Sequence, residues 1–348
     1  MTRRGRRRED GSRRLPAAPP ARRAAGDVSA ALMGLAGQAR VVTPDFDKLK
    51  AGLAEPPAAA DLVNVLGNSR RRDELEAIAA DCRARLMTQP DSLWLHFKLG
   101  ETLRALGDRD GAIGAFRRCH DIDPSLGSDF YLSAMGLGEV PDRMPEKLVA
   151  TLFNSYAETF EQHLVRTLKY QAPGKLAAVV KDVLGDGHAP VDVFDIGCGT
   201  GLAGEHLRPL ARRLDGVDLS AGMIAKAREK RLYDRLIVGE LCAALNDARL
   251  QYDLVAAADV LIYFGDLTAP FAAAHAALRP GGLFAFTVEK GDGEAPALGE
   301  VTRYRHSAAY IERVAAATGF RVVRREDFTL RFEKGVPVDS LLYVLAPI

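Results

Sequence analysis

"VFDIGCGTGLAG", Val193 to Gly204, can be parsed in two ways, and the choice between them fixes the fold of most of the chain. Taken as Gly199-Thr200-Gly201-Leu202-Ala203-Gly204 it spells G-x-G-x-x-G, the turn that seats a pyrophosphate on a helix N-terminus. Asp218 then follows about twenty positions on, where a nicotinamide dinucleotide's ribose would require a carboxylate. Taken one step earlier it reads Asp195-x-Gly197-x-Gly199-x-Gly201, an acidic residue at a strand end followed by alternating glycines. The elements further along the chain separate the two.

Periodicity predicts strands and helices in alternation. "VDVFDIG", "LDGVDLS", "DRLIVGE", "YDLVAAADVLIYF" and "LFAFTVE" read as strands one to five. "LAGEHLRPLAR", "AGMIAKAREK", "LTAPFAAAHAALRP" and "SAAYIERVAAATGF" read as the helices between and after them, with Ser307 as the N-cap of the last. The chain closes with "RVVRREDFTLRFE" and "DSLLYVLAP", joined by "KGVPV", a turn too short for a crossover and suited to a hairpin. The predicted fold is α/β, a doubly wound, mostly parallel seven-stranded sheet with an antiparallel last strand. A dinucleotide fold would instead repeat a second parallel half.

The glycine loop, Asp218 in "GVDLS", Glu240 in "VGELC", the "YDLVAAADVL" strand and "LRPGGLF" occur in order. Together they resemble the class I S-adenosylmethionine-dependent methyltransferases. "MPEKLVATLFNSYAETFEQHLVRTLKYQAPGKL", "DVLIYFGDL", "RYRHSAAYI" and "LRFEKGVPVDSLLYVL" are similar to bacterial predicted methyltransferases with N-terminal tetratricopeptide repeats, although Asn154 stands where that pattern has Asp. The resemblance implies S-adenosylmethionine as cofactor. Glycines at 197, 199 and 201 would remove the Cβ atoms that block its approach. Asp195 would orient the loop and meet the methionine ammonium, Asp218 would accept both ribose hydroxyls, and Glu240 would face the adenine amino group beside the Leu241 amide. Tyr156, Cys198, Leu219, Met223 and Asp259 complete the expected cofactor contacts, with Tyr156 and Phe160 as an apolar lid. Residues expected over the open end of the sheet are Tyr263, Glu289, Tyr304 and His306, with His163 on the entry helix. Of these, His306, Glu289 and Tyr263 are the candidates to bind or deprotonate the acceptor.

The 348 residues divide by composition into three parts. Residues 1–45 begin with nine Arg against Glu9 and Asp10 in the first 23 positions, with Pro, Ala and few large apolar residues, and predict a disordered tail. Residues 46–140 predict a helical domain: in "DSLWLHFKLGETLRALGDRDGAIGAFRRCHDIDP", Leu99-Gly100, Leu103, Gly107, Ala112, Phe116, Cys119 and Pro124 fall at tetratricopeptide spacing. A degenerate unit with Leu66-Gly67 precedes it. Such repeats serve either as a docking surface for a protein partner or only as packing. Residues 141–348 are expected to form the class I methyltransferase domain that the resemblance implies.

The overall charge of +1 conceals a net −6 outside the first 23 residues, which disfavours nucleic acid as a partner. Cys82, Cys119, Cys198 and Cys242 form no C-x-x-C pair and have no histidine at metal-ligand spacing, so no metal is expected. No stretch approaches the roughly 18 apolar residues of a membrane span, and the sequence predicts a cytoplasmic protein. The expected reaction is methyl transfer to O or N of a small-molecule or carrier-bound acceptor. The alternatives from other classes are a non-catalytic repeat scaffold and an NAD(P)-dependent oxidoreductase.

Overall fold

The computed structural model describes residues 72–162, 164, 168–299, 302–333 and 335–348. The Arg-rich tail, the unit around Leu66-Gly67 and His163 lie outside these residues.

Four helices come first: α1 (Arg72–Leu86), α2 (Leu93–Leu106), α3 (Arg109–Ile122) and the short α4 (Asp129–Ala134). Their ends are set by local chemistry. Ser92 Oγ accepts from the Leu95 amide, and Asp108 from the Gly111 amide at 3.0 Å, so each caps a first turn whose N–H groups have no helical partner. Gly107, at φ 80°, ends α2 in the left-handed conformation that a side chain resists. Between α2 and α3 the Phe116 ring lies so close to Gly100 that a Cβ there would sit 2.8 Å from ring carbon Cε1. Phe116 is fully buried and stacks on Tyr131 with ring centres 4.7 Å apart.

The sheet follows α5 (Glu146–Tyr156) and α6 (Ala172–Leu184). Strands β1 (Val191–Ile196), β2 (Ala211–Asp218), β3 (Arg235–Val238), β4 (Tyr252–Ala257) and β5 (Leu278–Lys290) run parallel in the order β3-β2-β1-β4-β5. Helices α7 (Leu202–Leu207), α8 (Ala221–Glu229), α9 (Leu241–Asn246) and α10 (Thr268–Ala277) connect them. After β5 come β6 (Ala297–Leu298), β7 (Tyr304–His306), α11 (Ala308–Ala317), β8 (Phe320–Glu333) and β9 (Val336–Pro347). β9 inserts antiparallel between β5 and β8. The sheet thus ends in the hairpin that the short "KGVPV" turn requires. Ser307 caps α11, its hydroxyl accepting from the Tyr310 amide at 3.1 Å.

Three details differ from the sequence-based expectation. The sheet has nine described strands rather than seven, because β6 and β7 pair beyond the end of β5. "DVLIYF" leaves the sheet after Ala257 and forms a 3-10 turn at Leu261–Tyr263. The apolar spacing of Leu148, Leu152, Tyr156, Phe160 and Leu164 predicts one entry helix through Leu164, whereas α5 ends at Tyr156.

Two apolar layers cover the sheet. One is built on Phe194, Phe271, Phe284 and Phe286, the other on Leu176, Leu214, Leu254 and Leu342. A third cluster joins Phe116, Phe130 and Tyr131 of the helices to Leu148, Val149 and Tyr304. A strap at 142–144 ties these regions through main-chain atoms: the Gly265 and Asp266 amides donate to the Asp142 carbonyl at 2.6 and 3.0 Å, and the Met144 amide to the Tyr263 carbonyl at 2.8 Å.

Gly100 offers a test of helix packing. Replacing Gly by Ala in a helix interior gains about 1 kcal/mol by propensity alone, but the buried Phe116 ring cannot retreat without strain costing ~1–3 kcal/mol. Gly100→Ala is therefore expected to lower stability in urea unfolding; a more stable variant would show that the α2–α3 contact is loose.

Candidate active site

A cavity opens at the carboxyl ends of β1 to β4, where the chain leaves each strand in a different direction. Beyond β1 the Gly197 and Cys198 amides donate to the Val217 carbonyl at 2.8 and 3.0 Å, which folds the glycine loop back across β2. The Gly199 amide donates to Asp218 Oδ2 at 2.9 Å, and the Ser220 amide to Asp218 Oδ1 at 2.8 Å. One carboxylate therefore fixes the loops after β1 and β2 while still lining the cavity. Burial pushes its pKa up to about 6, against the pull of these two amides.

The glycines are not equivalent. A Cβ on Gly197 would collide with Val260, and one on Gly204 with the hydroxyl of Tyr233. A Cβ on Gly201 would come within 3.1 Å of the same Tyr233 ring. A Cβ on Gly199 would meet nothing closer than Phe160, 3.9 Å away, so this glycine is the one that leaves room beside the cavity. Beneath the loop, the Tyr233 hydroxyl donates to Asp195 Oδ2 at 2.7 Å. Asp195 is wholly buried, its Oδ1 has no hydrogen-bond partner among the described residues, and burial raises its pKa to about 7.

Glu240 caps α9, accepting from the Ala243 amide at 2.8 Å, and its other oxygen takes Arg143 Nη1 at 3.4 Å. Asn154 Oδ1 accepts from the Ser220 hydroxyl at 2.7 Å and the Gly222 amide at 2.9 Å, anchoring α5 over the start of α8. A neutral amide oxygen makes both bonds.

The opposite wall is aromatic. Tyr156 packs edge-on to Phe160 with ring centres 5.1 Å apart, Phe153 stands against Tyr263 at 5.6 Å, and Tyr170 closes the side. The floor is ionic. Arg331, 2% exposed, donates through Nη1 to Asp259 Oδ2 at 2.9 Å, through Nε to Glu333 at 2.8 Å and through Nη2 to Glu289. Arg303 pairs with Glu289 through Nε at 2.7 Å and with Glu333 through Nη2. Burial lifts the Asp259 pKa to about 6 despite Arg331. Asp259 also sits at φ 59°, a backbone conformation costly for a residue with a Cβ, and its amide is held by Thr287 Oγ1 at 2.9 Å.

Residues 194–284 match the family model described as a methyltransferase domain. The matched residues run from β1 into β5, so this part of the sheet has the sequence pattern of a methyltransferase domain. The chain is 28% identical over 154 residues to a malonyl-[acyl-carrier protein] O-methyltransferase of Yersinia pestis, covering 44% of this chain and 54% of that protein. The corresponding protein of Salmonella typhimurium is 26% identical over 196 residues, 54% of this chain and 74% of its own length. A ubiquinone biosynthesis O-methyltransferase of Rhodopseudomonas palustris is 36% identical over 93 residues, 26% of this chain and 37% of that protein. The chain thus spans about half to three quarters of the malonyl-carrier relatives' length. Among solved structures, the 1,6-didemethyltoxoflavin-N1-methyltransferase of Burkholderia thailandensis aligns over 60% of this chain and 93% of its own, at 19% identity and a TM-score of 0.49.

Of the expected site residues, Tyr156, Gly197, Gly199, Asp218, Leu219, Met223, Glu240, Leu241, Asp259 and Tyr263 all line the cavity. Asp195, Cys198 and Gly201 lie beneath the loop and are not part of the wall. His306 and Glu289 differ more. His306 lies within β7, fully buried, its Nε2 donating to the Gly265 carbonyl at 3.3 Å, and burial pushes its pKa down to about 4. It stays neutral near pH 7 and does not reach the cavity. Glu289 is 1% exposed and held by arginines, again outside the wall. Tyr304 is buried against the helices, its hydroxyl on the Pro141 carbonyl.

The residues that sequence reasoning passed over are Tyr233, Tyr170, Arg303, Arg331 and Glu333. Tyr233 gives the first test of the site. Tyr233→Phe keeps the ring under the glycine loop and removes only the donor to Asp195, so unfolding free energy should fall by ~1–3 kcal/mol. Unchanged stability in denaturant titration would mean that Asp195 finds another donor.

Proposed function

We propose that this protein transfers a methyl group from S-adenosylmethionine to an oxygen or nitrogen of a small-molecule or carrier-bound acceptor. The observation that carries this is the placement of Asp218 and Glu240 after β2 and β3 beside the open side of Gly199, facing an aromatic wall, with Asp195 beneath the loop after β1. The residues fit the cofactor. Asp218, with one amide on each oxygen, keeps lone pairs for a ribose diol. Glu240 and Leu241 lie where an adenine edge would extend, and the unmatched Asp195 Oδ1 is an acceptor under the loop that an ammonium would draw on. When bound, the cofactor supplies an electrophilic methyl on a sulfonium.

The chain's own part is to orient and to exclude water. Tyr156, Phe160 and Phe153 form an apolar cover that keeps water from the reacting centre. Tyr263 lines the same side, and burial raises its pKa, so it stays neutral. His306 has no place in this scheme because its ring is sealed between β7 and the Gly265 carbonyl. Helices α1 to α4 are read as a tetratricopeptide-like surface that docks a partner or a carrier. The four cysteines are free thiols, which suits a reducing cytoplasm. Against a nicotinamide reading stands the antiparallel β9, where a second parallel half would be needed.

Titration calorimetry with S-adenosylhomocysteine tests the cofactor. Binding is expected, with none for NAD or NADP, and Asp218→Ala should weaken it by ~1.5–3 kcal/mol, the worth of charge-assisted hydrogen bonds. Loss of binding for the wild type, or unaltered affinity in the variant, would overturn the assignment.

A pH dependence follows from the raised carboxyls. Asp218 and Asp195, with values of about 6 and about 7, are ionised above that range and protonated below it. Protonation removes acceptors for the diol and the ammonium, so affinity for S-adenosylhomocysteine should fall as pH drops from 8 to 5.5. Flat affinity across that window would exclude both carboxylates as ligand contacts.

A further inference from the structure

The ionic floor of the cavity discriminates between acceptors, and this inference rests on the methyltransferase reading above. Arg331 has all three guanidinium nitrogens committed, to Asp259, Glu289 and Glu333. Arg303 donates through Nη2 to Glu333 and ion-pairs through Nε with Glu289 at 2.7 Å. These two guanidinium groups face three carboxylates, so the buried set carries one net negative charge. Arg305 approaches Glu289 only from the outside, at 3.8 Å with its side chain half-exposed. Arg143, the remaining cation among the described lining residues, is taken by Glu146 at 2.6 Å and Glu240 at 3.4 Å. The charge of Arg331 is thus already matched by carboxylates, and an incoming anion would meet the field of the three acids. Two buried side-chain atoms of the described lining residues make no hydrogen bond: Arg303 Nε, which lies 2.7 Å from Glu289 Oε1 as an ion pair, and Asp259 Oδ1, an acceptor that no donor among the described residues reaches.

We infer that the acceptor is an uncharged aromatic hydroxyl or amine, which donates its O–H or N–H to Asp259 and lays its ring against Phe153, Tyr156 and Tyr263. A free carboxylate is the acceptor class that this floor rejects. A buried donor–acceptor match of this kind selects strongly, because an analogue that cannot donate leaves the carboxylate oxygen unsatisfied. The edge-on ring pairs suit a flat partner better than a branched aliphatic one. Asp259 reaches this place only through its left-handed backbone, held by Thr287 and Arg331.

The test uses three probes of one size, 2-naphthol, 2-naphthylamine and 2-naphthoate, titrated into the full chain saturated with S-adenosylhomocysteine at pH 7.5. Saturation of the cofactor site is established first by calorimetry, and failure at that step overturns the cofactor reading on which the inference stands. With the site saturated, the naphthol and the amine should bind at least about tenfold more tightly than the naphthoate. Equal or tighter binding of the naphthoate, or no binding of the two neutral probes, overturns the inference. Asp259→Asn supplies a second readout: the side-chain shape is kept, the charge is lost and an amide donor appears. The preference for naphthol over naphthoate should then shrink by about tenfold, and an unchanged preference would place discrimination elsewhere.

Discussion

Arg331 is the group around which the open end of the sheet closes. It rises from β8 into a space walled by the ends of β4 and β5, and it meets Asp259, Glu289 and Glu333 there with almost no access to water. Burial by itself would lower its pKa, but the three acids more than offset this and hold the guanidinium charged. Removing one partner of such a buried set typically costs about 3–5 kcal/mol, since a desolvated charge is left behind. The terminal hairpin, which distinguishes this sheet from a dinucleotide fold, is thereby fastened to the floor of the site. Fold and site share one set of ion pairs.

The sheet was legible because its signals are local. Apolar runs at β1, β2, β4 and β5, a turn too short for a crossover, and Ser307 before an apolar helix each state their structure within a few residues. Asp218 and Glu240 were legible for the same reason, since a carboxylate just after a strand lands at the sheet's open edge whatever the rest of the chain does. His306 was not. "RYRHS" has no period to read, and β7 exists because the far end of β5 pairs with it at Glu289 and Lys290, a contact between positions distant in sequence. Arg331 was hidden by irregular pairing. The β8–β9 register shifts between Thr329 and Arg331, so Leu330 and Arg331 are both buried, where strict alternation would send one of them to solvent.

Tyr233 shows how a motif can be right for a reason other than the one that suggested it. Gly204, the third glycine of the dinucleotide parse, is required here because the Tyr233 hydroxyl fills its side-chain space on the way to Asp195. Gly201 is crowded by the same ring. The spacing of glycines along the chain therefore reports on a tyrosine beneath the loop as much as on a ligand above it, and only Gly199 leaves the space beside it open.

The strap at 142–144 is made of amides and carbonyls: Asp142 to Gly265 and Asp266, and Met144 to Tyr263. Bonds of that kind are blind to side-chain identity. The exposed faces of α2 and α3 can therefore drift under mutation, exchanging one surface for another, while the wall that carries Tyr263 keeps its position. A lineage inheriting this arrangement is free to change what its helices greet without rebuilding the chamber behind them.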